Sequence, residues 1–185
     1  TRLPRAIRDV YKRQGIPLMS TIYTIGYEGT DIDRFVRTLQ IIGVQVLADV
    51  RALPLSRKKG FSKNALKDRL TEAGIEYHSY QALGDPKPGR DAARAGRFDE
   101  FRKIYTAHIE TEAAKEKVQE LSLTASKKVT CMLCFERDPK TCHRTIIAEK
   151  LVKYGVSSFD LYGDDPKKYE RNLVHLPSSR LEAAE

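Results

Sequence analysis

The chain has 185 residues, 41% of them hydrophobic and 31% charged, which is enough apolar material for one folded domain and too much for a compositionally disordered chain. No run approaches the roughly 20 apolar residues that span a bilayer, and three cysteines are too few for a disulfide scaffold. These features argue against a membrane protein, a secreted miniprotein and a repeat array, and they lead us to expect a cytoplasmic protein that is either an enzyme or a nucleic-acid-binding module. The net charge is +8, of which residues 1–18 carry +4 (Arg2, Arg5, Arg8, Lys12 and Arg13 against Asp9) and leave +4 for the rest.

Residues 1–18 show weak periodicity and precede Met19. They resemble translated linker sequence more than a first structural element and are expected to be a non-native or disordered extension. Thr21–Ile25 (TIYTI) reads as a strand, broken by Gly26-Tyr27-Glu28-Gly29. Thr30 and Asp33 suggest a capping box, with Phe35, Val36, Leu39 and Ile42 on one helical face and Gly43 as the stop. Val44–Ala48 is the next strand, and it ends at Asp49-Val50-Arg51. Ser62 opens a helix through Leu66 and Leu70 to Gly74, and Ile75–His78 starts a third strand.

Residues 84–97 (GDPKPGRDAARAGR) are rich in proline, glycine and arginine and predict a surface loop or lid. Phe98–Leu123 has a helical pattern in two segments. Lys128–Phe135 is a near-continuous apolar run, as expected of a strand buried on both faces. Asp138-Pro139 predicts the start of a helix that continues to Gly155, and the tail from Asp164 looks polar. Helix stops followed at once by β-branched residues, at Gly43-Val44, Gly74-Ile75 and Gly155-Val156, predict alternating strands and helices. The expected fold is α/β: a single domain over residues 19–163 with a mostly parallel, Rossmann-like sheet flanked by helices, and a polar tail over 164–185.

Ligands of an open parallel sheet bind beyond the carboxyl ends of the strands. There the chain would deliver Tyr27 and Glu28, then Asp49, Arg51, Ser56 and Arg57, then Glu136 and Arg137, with Cys142-His143-Arg144 at the start of the following helix. Glu28 or His143 taken alone reads as a solvated loop residue; the shared strand-end position is what favours a joint site. TIGYEG at 24–29, DVR at 49–51, P-x-S-R at 54–57, Phe61, LG at 83–84, CFE at 134–136 and CHR at 142–144 form an ordered set. In these motifs the chain resembles the domain of unknown function 488 family, from about Thr21 to Val156. The resemblance implies an α/β fold and a site at these residues, and names no substrate. Gly84 is followed here by Asp85, where the family often has a second glycine.

Cys131 and Cys134 have redox or zinc spacing, and Cys131 with Arg137 has the C-x5-R spacing of thiol phosphatases. Strand positions three apart point to opposite faces, so these two sulfurs cannot share a metal. Both read as core, and Cys142 reads as packing or polar support of the site rather than a nucleophile. Neither a metal nor a cofactor is expected. Arg51, Arg57, Lys58, Lys59, Lys63, Lys67 and Arg69 face only one acid, Asp68, and Ser62 at a helix N-terminus offers a phosphate site. Such a run is often a solvated face, but beside the proposed crevice it suits a polyanion, whether DNA, RNA or free nucleotides.

The chain lacks a Walker motif, a G-x-G-x-x-G fingerprint, a G-x-S-x-G elbow and an H-E-x-x-H pair. Carboxylates flanked by arginines and a tyrosine suit cleavage of an N-glycosidic bond, whose transition state is oxocarbenium-like. Asp49 would stabilise that charge or activate water, Glu136 or Glu28 would assist, Arg51 would act beside Asp49, and Tyr27 would stack on an everted base. Arg57, Lys58, Lys59, Lys63, Ser56, His143 and Arg144 would hold the nucleic acid. The expected function is that of a DNA glycosylase-like hydrolase acting on modified bases of foreign, phage-type DNA. A nucleotide or nucleoside hydrolase and a non-catalytic nucleic-acid-binding module stay open, and Asp49 could instead simply pair with Arg51.

Overall fold

The computed structural model describes residues 20–172 and Leu176; the extension expected over residues 1–18 lies outside the described residues. Five parallel strands, β1 (Ser20–Gly26), β2 (Val46–Asp49), β3 (Glu76–Ser79), β4 (Thr130–Cys134) and β5 (Val156–Tyr162), form one sheet in the order β3-β2-β4-β1-β5. Among the described residues seven α-helices flank it: α1 (Ile32–Ile42), α2 (Lys63–Glu72), α3 (Lys87–Arg94), α4 (Phe98–Ile109), α5 (Glu112–Lys127), α6 (Arg144–Leu151) and α7 (Pro166–Arg171).

The connections out of β1 and β2 run one way across the sheet and those out of β3 and β4 run back. With right-handed crossovers this places the two sets of helices on opposite faces. Side-chain alternation along the strands builds a core on each face. Tyr23, Ile25, Leu47, Cys131 and Leu133 pack with Phe35, Leu39, Leu66 and Leu70 of α1 and α2. Ile22, Ala48 and Met132 pack with Ala92, Tyr105, Leu121 and Ile147 of the other layer. β4 lies between β2 and β1, whose connections leave on the opposite face from its own, so its carboxyl end is the switch point at which α/β sheets hold ligands. Among the described residues no helix is long and apolar enough to cross a membrane.

Several local expectations are corrected. The α1 N-cap is Asp31, whose carboxylate accepts the Arg34 amide at 2.9 Å, and the Thr30 hydroxyl donates instead to the Gly163 carbonyl at 2.6 Å. The segment expected as a loop contains α3: Pro88 sits in the first helical turn, where its missing N–H breaks no intrahelical bond. Asp138 does cap a turn, but only a 3-10 turn over Pro139–Thr141; the α-helix starts afresh at Arg144. Gly43 and Gly155 take positive φ (77° and 74°) and stop their helices as expected.

The tail beyond Asp164 is not merely polar. It forms α7, which lies against α1 and is tied to it by the Arg37–Glu170 ion pair at 2.6 Å. Tyr169 is buried in the α1/α2 core, and its hydroxyl accepts the Tyr162 amide at 2.7 Å. A single aromatic residue surrounded by charge carries little periodicity, which hides it in the sequence. Replacing Tyr169 by alanine is expected to lower the unfolding free energy by about 3 kcal/mol, as for other buried aromatics; denaturant unfolding of the two proteins checks it, and an unchanged midpoint would return α7 to the status of a surface tail.

Candidate functional site

Register brings the strand ends level, with Gly26 opposite Cys134 and Asp49 opposite Leu133. The loops after β1, β2, β3 and β4 therefore meet at one edge. The alternation within each strand sends their side chains to different depths and faces.

Asp49 and Arg51 form a buried ion pair, 1% and 5% exposed. Asp49 Oδ1 accepts the Arg51 amide at 3.1 Å and Nε at 2.8 Å, and Oδ2 accepts Arg51 Nη2 and the Tyr77 hydroxyl, each at 2.7 Å. The remaining arm of Arg51, Nη1, donates to the Phe61 carbonyl at 2.7 Å and so pins the far end of the β2–α2 loop. Burial works against the Arg51 charge, but the hydrogen bonds and charge of Asp49 outweigh it and raise the pKa. The guanidinium also lies over the Tyr27 ring, 5.3 Å from its centroid.

The Tyr27 ring stacks on Phe61 at 4.5 Å and meets Phe135 edge-on at 5.2 Å. It is buried in the core, so it is not the exposed platform for an everted base that the sequence suggested. Ser62 does not cap α2 with its side chain; its hydroxyl donates to the Ser56 carbonyl and accepts the Ser56 amide, closing the loop on itself, while the Ser56 hydroxyl accepts the Lys58 amide. On the outside of this braced loop Arg57, Lys59 and Lys63 are exposed, and half-buried Lys58 donates to the Tyr27 carbonyl at 3.1 Å. Leu53, Leu55 and Phe135 are exposed at the same edge, Leu55 by 73%.

A second constellation lies on the α4–α6 side of the switch point. Cys134 ends β4, and its Sγ donates to Glu136 Oε2 at 3.0 Å and lies 3.6 Å from His143 Nδ1. Cys142 Sγ approaches the same Nδ1 at 3.8 Å. The other ring nitrogen, Nε2, is 2.8 Å from the Val50 carbonyl, which can only accept, so Nε2 carries a proton. Asp85, in the loop after β3, is buried nearby, and its Oδ1 has no hydrogen-bond partner among the described residues. A Cβ on Gly89 would come within 2.0 Å of that oxygen, so only glycine leaves room for it.

Electrostatics tie these groups together. Burial alone would raise the Cys134 thiol, but hydrogen bonding with Cys142 and the charge of His143 bring it well below the usual thiol value. His143 is opposed by burial yet pushed up to about 9 by Cys134. Burial and the charge of Cys134 push Glu136 up to about 7, and burial pushes Asp85 up to about 6 against the pull of His143 and Arg90.

Arg144 is fully buried: Nη1 donates to the Glu136 carbonyl at 2.5 Å and Nη2 to the Arg137 carbonyl at 3.1 Å. Gly26 allows this close passage, since a Cβ there would lie 1.8 Å from the Glu136 oxygen. His143 and Arg144 were expected on the nucleic-acid-binding surface; both are inside, one among the thiols and the other clamping the β4 loop. Glu28 is exposed, and its Oε2 accepts the Arg137 amide at 2.9 Å. The structure thus separates the expected site into a braced Asp49–Arg51 pair, an outer cationic loop and an inner thiol–imidazole group bordered by Glu136.

Cys134 is buried as expected, but nothing in the residue pattern shows that it faces Cys142 and His143. Its place as the last residue of the central strand was the available signal, together with the adjoining C-H pair that opens α6. The carboxyl oxygen of Asp85 next to them could not be foreseen, because it depends on α3, which was expected as a loop.

Comparison with known proteins bears on the same residues. No curated protein and no solved structure matches the chain. A match to the family described as "Domain of unknown function DUF488" covers residues 31–151. That range is more than half of the chain and holds Asp49, Arg51, Asp85, Cys134, Glu136, Cys142, His143 and Arg144, while Tyr27 and Glu28 lie just before it. By that match this chain, with its central-strand thiol and its two inward arginines, belongs to the DUF488 family.

Proposed function

We propose that the protein is a DNA-acting hydrolase that cleaves N-glycosidic bonds, in the manner of a DNA glycosylase, with modified bases of foreign, phage-type DNA as its substrate class and the cytoplasm as its place of action. The observation that carries this is the outer loop. Among the described residues Arg57, Lys58, Lys59 and Lys63 lie together beside the carboxyl edge on one loop braced by Ser56 and Ser62, and none of them takes part in an ion pair. Interleaved with them are exposed Leu53 and Leu55, and across the edge exposed Phe135. Unpaired cations suit phosphates, and exposed apolar side chains suit contact with bases or the gap that an extruded base leaves.

Glu136 follows Phe135 directly and is the half-buried carboxyl of the edge. Asp49 has its acceptor positions filled, so its part is to position the loop through Arg51. The reacting carboxylate is then Glu136. It takes a proton from the water whose oxygen bonds to the sugar C1′ as the C1′–N bond breaks, and its negative charge stabilises the oxocarbenium-like state. The departing base takes its proton from solvent.

The test is incubation of the purified protein with duplex DNA carrying modified or ordinary bases, followed by hot alkali. Scission that appears only after alkali supports cleavage to an abasic site; intact strands with every base, alongside release of base from free nucleosides or nucleotides, would favour the small-molecule hydrolase. Glu136→Gln is expected to reduce turnover by about a hundredfold or more, the scale of losing a positioned acid–base group, while DNA binding persists in a gel-shift assay. Binding without turnover in the unaltered protein would point to a non-catalytic module.

Arg57→Ala combined with Lys59→Ala is expected to weaken binding to all duplexes alike. It should also flatten the plot of log affinity against log salt by a slope of about two, for two lost phosphate contacts. A salt titration followed by fluorescence anisotropy measures this, and an unchanged slope would make the loop an ordinary solvated face.

A further inference from the structure

Cys134, Cys142 and His143 form a group that glycosidic cleavage by Glu136 does not use. Their donor atoms lie within 4.8 Å of one another. For zinc, with bonds of about 2.3 Å to sulfur and about 2.0–2.1 Å to nitrogen, tetrahedral geometry sets the sulfur–nitrogen edge at about 3.5–3.6 Å. The observed separations from His143 Nδ1 are 3.6 Å for Cys134 and 3.8 Å for Cys142.

Two sulfurs converge on one ring nitrogen, although Cys134 also has Glu136 Oε2 as a hydrogen-bond acceptor at 3.0 Å. A cation at the centre would take both sulfurs and the nitrogen as ligands at once. The imidazole is already oriented for it, because the bond from Nε2 to the Val50 carbonyl aims Nδ1 at the sulfurs, as an outer partner does for a metal-bound histidine. The scaffold is rigid as well: Cys134 closes β4, and Cys142 and His143 follow a loop that Arg144 clamps from within.

A second, independent observation points to a ligand. Asp85 is 6% exposed, its Oδ1 has no partner among the described residues, and the charges of His143 and Cys134 act on it, although its oxygens lie outside the 4.8 Å group of the two sulfurs and the imidazole. A buried carboxylate oxygen left unanswered is costly, and a water on a bound cation would answer it. Two thiolates, an imidazole and an oxygen suit zinc and its neighbours over magnesium or calcium.

We infer that Cys134, Cys142 and His143 bind one zinc-class divalent cation, with a water at the fourth position that can donate a hydrogen bond to Asp85. This stands apart from the glycosidic proposal: a protein that binds the metal and leaves DNA intact keeps one and loses the other.

The test is metal analysis of the purified full chain, then removal of metal by a chelator and titration with cobalt(II). The expected result is one equivalent per chain, with thiolate-to-cobalt charge-transfer absorption and the visible bands of a tetrahedral site. Cys142→Ser should cut the charge-transfer band to half or less, whereas Cys131→Ser should keep it whole, since Cys131 packs on the opposite face of the sheet. If Cys142→Ser does not fold, the cobalt titration of the unaltered protein decides. No charge-transfer band, a band undiminished by Cys142→Ser, or a Cys134–Cys142 disulfide revealed by thiol counting after denaturation would each overturn the inference.

Discussion

The carboxyl edge of this sheet depends on one buried ion pair. Removing Asp49 and Arg51 from water exacts several kcal/mol per ion, which only near-ideal partners offset. Each Asp49 oxygen accepts two hydrogen bonds, and Arg51 spends its third arm on the Phe61 carbonyl. The geometry that stabilises the charges therefore also fixes the loop. Phe61 is held against Tyr27 and Phe35, and Leu53, Leu55, Arg57 and Lys59, between Arg51 and Phe61, are exposed on the braced loop. A cationic surface on a braced loop loses less conformational entropy on binding than one on a mobile loop.

Arg144 does for β4 what Arg51 does for β2. Its guanidinium turns inward and holds two successive carbonyls, which leaves Glu136 half-buried at the edge and Cys134 buried behind it. A charge count treats these arginines and Arg57 or Lys59 alike, yet the first two are architecture and the others face solvent. Only the outward set is free to meet a polyanion, which is why the proposed binding rests on the unpaired loop and not on the overall charge of the chain.

The sheet was legible in the sequence because its rules are local. Alternation in TIYTI, the apolar run before Glu136 and glycine stops at Gly43 and Gly155 each follow from a few adjacent residues. The edge on which the site lies was legible for the same reason, since parallel strands deliver their following loops to one side. Side-chain direction was not legible. The Asp49–Arg51 pairing could be foreseen from a two-residue spacing, but the Tyr77 hydroxyl that completes it comes from the neighbouring strand. Tyr27 and Arg144 looked like ligand contacts because their partners, Phe61 and the carbonyls after Glu136, are set by tertiary packing. The convergence of Cys134, Cys142, His143 and Asp85 needs β4, α6 and the loop before α3 in place at once, and proline in the first turn of α3 disguised that helix as a loop.

The most direct test of the central ion pair is a double-mutant cycle on Asp49 and Arg51, read by denaturant unfolding. Asp49→Asn and Arg51→Met should each lose about 3–5 kcal/mol, because each strands its partner's charge in the interior. The double variant should lose clearly less than the sum, because no charge is then stranded. Single variants with unchanged stability, or losses that simply add, would contradict the view that this pair organises the edge.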